Sequence, residues 1–162
     1  MSRTHDRAYA LLSERMQLRA PTRHALYAVL AVLLASGVAW IAVHYEGDLQ
    51  PEWHNEVRQL TLEAWAMKLH GGAAIVTLIA IGMMLTHHVR RGWALARNRW
   101  SGSLVVTAFG VLTLTGYALY YVVNDATRAP VSMTHWLVGL ALAPLFFVHI
   151  VLGRRSRTRQ TW

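Results

Sequence analysis

Four stretches of this chain, residues 25–45, 69–89, 101–124 and 129–153, contain no Asp, Glu, Lys or Arg. An α-helix needs roughly 20 largely apolar residues to cross about 30 Å of hydrocarbon. Each stretch is at least 21 residues long, and together they occupy most of the 162 residues. A soluble domain of this size has no use for four such runs. The sequence therefore predicts an all-α fold, a four-helix transmembrane bundle running up-down-up-down within the lipid bilayer.

Charge sets the expected orientation. Arg3, Arg7, Arg15, Arg19 and Arg23 precede the first span; Arg90, Arg91, Arg97 and Arg99 lie between the second and third. Arg154, Arg155, Arg157 and Arg159 follow the fourth, while the other two loops hold only Arg58, Lys68 and Arg128. Loops rich in Lys and Arg stay cytoplasmic, so both termini are expected on the cytoplasmic side of a bacterial inner membrane. The alternation also explains the net charge of +8 without a nucleic-acid partner, whose footprint would be a basic patch rather than alternate loops.

The chain then divides into a basic N-terminal segment (1–24), a membrane domain (25–153) and a basic cytoplasmic tail (154–162). Residues 8–18 suit either a short amphipathic helix on the inner surface or a disordered basic tail. In the external loop, Trp53, Val57, Leu60 and Ala64 recur at helical spacing after Pro51. This predicts an interfacial helix over about residues 52–66 lying on the outer surface.

The chain has no cysteine. That removes disulfides, cysteine-ligated iron–sulfur clusters and thioether-linked haem. It does have nine histidines, and four recur in a pattern. His70 and His88 fall near opposite ends of the second span, His135 and His149 near opposite ends of the fourth. Ionisable groups inside a membrane are costly and usually functional. At 100° per residue His135 and His149 lie about 40° apart, and His70 and His88, eighteen residues apart, share one face. In a straight helix His87 falls about 100° from that face. With supercoiling to about 3.5 residues per turn, His87 and His88 become equally placed, so His87 stands as the alternative to His88.

A low-spin haem takes an axial ligand on each face, and imidazole is a common one. Diagonal helices of a four-helix bundle could supply two such pairs. The expected ligands are His70 and His135 for an outer haem b, and His88 and His149 for an inner haem b. Gly37, Gly71, Gly110 and Gly116 are candidates for backbone approach by the macrocycle, or for ordinary close helix packing. Lys68, Arg90, Arg91 and Arg128 are candidate propionate partners. Pro144, between His135 and His149, removes one backbone hydrogen bond. A competing reading is a copper-binding or metal-handling protein using Met67, His70, Met133 and His135, because thioether and imidazole suit copper.

The stretches "KLHGGAAIV", "HHVRRGW", "NRWSG", "TGYALYY" and "THWLVGLALAPLFFVHIVLGRR", spread over about residues 65–155, resemble the small four-helix di-haem b-type cytochromes of bacterial inner membranes, the cytochrome b-561 type. The resemblance implies two non-covalent haems held by transmembrane histidines, here His70, His88, His135 and His149. It implies electron transfer between ubiquinone or ubiquinol, from the quinone pool, and a periplasmic redox protein or a larger membrane complex, as a quinone-linked oxidoreductase or an electron-transfer subunit. The chain departs from some members of that group at the first helix, which offers only His24 and His44, near its ends.

Overall fold

A computed structural model describes residues 20–49, 56–94 and 98–158, and these are almost wholly helical. The segments are α1 (Ala20–Leu49), α2 (Glu56–Met84), a π-helical turn (Leu85–Val89), the short α3 (Arg90–Ala94), α4 (Arg99–Tyr121) and α5 (Asp125–Thr158). Four of them, α1, α2, α4 and α5, are long and apolar enough to cross a membrane. The all-α, four-helix transmembrane architecture expected from the sequence is the one the chain adopts.

The chain divides into two compact units, residues 1–91 and 92–162. The first unit is an antiparallel hairpin of α1 and α2. Ser36 meets His70 and, further toward the connecting loop, His44 meets Glu63. Contact residues are small: Ser36, Ala66, Ala73 and Thr77 are buried. Small side chains let two helix backbones approach in lipid, where apolar surface alone gives no drive to associate. Outward residues such as Val32, Ile75 and Ile79 stay exposed, as suits a lipid-facing surface.

The second unit is the antiparallel hairpin of α4 and α5. Its seam runs through Ser101, Val105 and Leu142, all buried. Leu112 is placed against Gly139, and the Asn98 side chain against Gly153. Asn98 opens α4 in the left-handed region (φ 48°), which Asn tolerates better than most residues. The turn into α5 is closed by a reciprocal cap. Asn124 Oδ1 accepts from the Thr127 backbone N–H at 3.1 Å, and Thr127 Oγ1 accepts from the Asn124 N–H at 3.1 Å. Such a cap satisfies N–H groups that the first helical turn leaves without partners. The helix continues through Pro130 and Pro144.

Two expectations change. Over residues 56–66, the described part of the expected interfacial helix, no separate element forms. Residues 56–66 are instead the first turns of α2, with no break before the apolar stretch; residues 51–55 lie outside the described residues. The amphipathic run was real but belongs to the membrane helix itself. The second span also does not stay α-helical to Val89, because Leu85–Val89 form a π turn. A π turn takes an extra residue into the turn and often marks a functional position. The proposed helix over residues 8–18 lies outside the described residues.

Candidate functional site

Three imidazoles are held in the same way. On α2, His70 Nδ1 lies 3.0 Å from the Leu33 carbonyl oxygen and 3.2 Å from Ser36 Oγ. A carbonyl only accepts, so Nδ1 is the donor. The Ser36 hydroxyl sends its own proton to Val32 O at 2.7 Å and is left to accept from the ring. In the neutral imidazole, therefore, Nδ1 carries the proton and Nε2 the lone pair. The adjoining Gly37 makes room: a Cβ there would stand 3.2 Å from His70 Cε1.

His135 on α5 repeats the arrangement. Thr115 Oγ1 lies 2.7 Å from Val111 O, to which it can donate, and 2.8 Å from His135 Nδ1. A Cβ at the next residue, Gly116, would stand 3.3 Å from His135 Cε1. With the hydroxyl proton directed to Val111 O, the ring donates from Nδ1 and the lone pair falls on Nε2.

His149 forms the third instance. Ser101 Oγ lies 2.9 Å from His149 Nδ1, and a Cβ at Gly102 would be 3.6 Å from its Cε1. Here the competing acceptor for the hydroxyl proton, Asn98 O, is 3.4 Å away, so the geometry admits either tautomer. Ser101 and Thr115 are fourteen residues apart on α4, as His149 and His135 are on α5. The antiparallel seam thus presents two equivalent hydroxyl–glycine cradles in register.

The fourth expected ligand, His88, lies in the π turn, half-buried, with its Nδ1 shielded from solvent. His87 shares that turn, but its side chain lies outside the described residues. His70 and His88 belong to the first unit, and His135 and His149 to the second.

The other candidates separate by position. Gly37 and Gly116 touch imidazoles, whereas a Cβ at Gly71 or Gly110 would meet no described atom within 4 Å. The Lys68 ammonium stands 4.7 Å over the Trp65 ring. Arg128 donates to Leu119 O at 3.3 Å, capping a carbonyl near the end of α4. Arg90 is exposed in α3, and the Arg91 side chain lies outside the described residues. Met67 is half-buried on α2 and Met133 exposed on α5. Among the described residues, no group of three or more His, Asp or Glu side chains gathers as a metal site. A bis-imidazole haem site needs only two protein nitrogens, since the porphyrin supplies the rest.

The sequence reading passed over Ser36, Ser101, Thr115 and Gly102. Their signal was present as a Ser/Thr–Gly dipeptide at residues 36–37, 101–102 and 115–116. It also passed over a pair at the loop end of the first hairpin, where His44 Nδ1 lies 3.2 Å from Glu63 Oε1. Comparison with family models, curated proteins and solved structures finds no match to the chain.

Proposed function

We propose that this membrane protein carries electrons across the bilayer through two non-covalently bound b haems. The observation that supports the reading is the repeated fixing of the histidine ring by a hydroxyl or carbonyl on the neighbouring helix. Histidines that ligate metals commonly donate their other N–H to such an acceptor, which sets the tautomer and ring orientation and raises ligand basicity. His70 and His135 have that chemistry, inside helices where an imidazole with no function is costly.

In this reading His70 and His135 would hold the haem nearer the outer face, and His88 and His149 the one nearer the cytoplasm, with His87 as the alternative to His88. Haem b, when bound, supplies a one-electron ferric/ferrous couple. The chain orients the ligands through Ser36, Leu33, Thr115 and Ser101. Apolar helices keep water from the iron and hold a low-dielectric surround that tunes its potential. The basic loops, placed on the cytoplasmic side, fix which end of the electron path faces outward. Such a path would serve the quinone pool at one end and a periplasmic or complex partner at the other.

The test is spectroscopic. Protein purified in detergent should give a reduced-minus-oxidised spectrum with a sharp α band and b-type haem extractable without covalent attachment. Colourless protein that binds copper ions instead would favour the metal-handling reading.

A further inference from the structure

We propose that Arg99 and Arg154, where α4 begins beside the end of α5, bind the phosphate headgroup of an anionic phospholipid. The site is built from the second hairpin and the Trp93 segment before it, and it needs no haem.

The arginines there have no counter-charge. Between residues 92 and 162 the chain has seven arginines and a single acid, Asp125. Arg97, Arg99, Arg154, Arg155, Arg157 and Arg159 all flank the start of α4 or the end of α5. Asp125 opens α5, about 43 Å of helix rise from Arg154. That is several Debye lengths at physiological ionic strength, so no carboxylate of this hairpin neutralises the cluster.

Arg99 is preorganised. Its Nε and Nη2 donate to the Trp93 carbonyl at 3.1 and 2.7 Å, and its guanidinium carbon stands 5.4 Å from the centre of the Trp93 ring. The side chain is thus fixed and still exposed. A guanidinium has five N–H donors, and among the described residues no acceptor meets Nη1. Arg154 is set close by. The Asn98 side chain stands 3.4 Å from where a Cβ on Gly153 would lie, which puts the backbone of Asn98 and Arg99 beside that of Gly153 and Arg154. Arg154 is exposed as well.

The surroundings favour a lipid over a soluble anion. Trp100 is 87% exposed and Trp93 52%. Indole rings gather at headgroup level, where one end is apolar and the other wet. Exposed Leu104 follows Trp100 by one turn on the same face of α4. A phospholipid with its phosphate at the arginines would lay acyl chain over Trp100 and Leu104, which a soluble anion would leave uncovered. The planar guanidinium matches phosphate oxygens in pairs. A zwitterionic lipid brings its own cation, so arginines without carboxylates select a headgroup of net negative charge.

Native mass spectrometry of the purified full-length protein, delipidated in dodecyl maltoside, measures binding of dioleoyl phosphatidylglycerol and dioleoyl phosphatidylcholine. Phosphatidylglycerol should bind roughly ten-fold more tightly. Arg99→Gln and Arg154→Gln should each weaken it about five-fold, and together about 25-fold, the scale of one basic side chain at a lipid surface and then two. Arg99→Lys should weaken it too, because an ammonium cannot hold the Trp93 carbonyl and paired phosphate oxygens at once. Arg58→Gln, an exposed arginine at the start of α2, should match the wild type. Circular dichroism reports folding; should Arg99→Gln lose helicity, Arg154→Gln decides alone. Equal affinity for the two lipids would overturn the proposal, as would unchanged phosphatidylglycerol binding in Arg154→Gln. An equal loss in Arg58→Gln would reduce the effect to diffuse charge and overturn it. Displacement of the lipid by inorganic phosphate would assign the arginines to a free anion and overturn it as well.

Discussion

Thr115 Oγ1 lies 2.8 Å from His135 Nδ1 and 2.7 Å from Val111 O, so a hydroxyl bonded back to its own membrane helix is set to accept from an imidazole of the next. Removing that acceptor tests whether the arrangement serves a metal. Thr115→Val should weaken haem retention about 10- to 100-fold, the usual range for losing such a partner, and raise the midpoint potential of the affected haem. Thr115→Ser should restore both. Haem titration and redox potentiometry on the three proteins decide it.

A second prediction concerns space. At Gly37 an added Cβ would stand 3.2 Å from the His70 ring, whereas at Gly82 it would meet no described atom within 4 Å. Gly37→Ala should push the ring off its acceptors and cost about 1–3 kcal/mol, as overpacking does. Gly82→Ala should be tolerated. Thermal unfolding in detergent, read alongside haem content, separates the two.

The ligand levels are expected to act separately. His135→Ala should halve the haem per chain and leave the remaining spectrum that of a single b haem. Retention of both haems would exclude His135 as a ligand. Single alanine substitutions of His87 and His88 should differ: the ligand's replacement removes the haem nearer the cytoplasm and the other leaves it.

Stability away from the histidines should move independently. Asn124 and Thr127 cap α5 reciprocally, so Asn124→Ala should cost about 1 kcal/mol with haem content unchanged. A loss of haem in that variant would show that the α4–α5 turn is coupled to the site.

The four spans were legible because the bilayer imposes length and polarity so strongly that absence of charge over 21 or more residues admits few alternatives. The histidines were legible for the same reason, as expensive residues in a costly place. Their hydroxyl partners were not. Ser36, Ser101 and Thr115 satisfy themselves by bonding back to their own helix, so in a sequence they read as neutral packing residues. Only the antiparallel register of each hairpin shows that they face imidazoles. Periodicity misplaced residues 56–66 because an amphipathic surface helix and the polar first turns of a membrane helix share one pattern. Nothing in "LTHHV" announced the π turn, since an extra residue in one turn leaves composition and hydropathy unchanged.

Haem per polypeptide in the purified wild-type protein tests the central claim most directly. The account predicts two b haems per chain, released by acid extraction and giving a sharp α band on reduction. A chain that folds as four helices in detergent yet holds no haem when expressed with ample haem supply would contradict it.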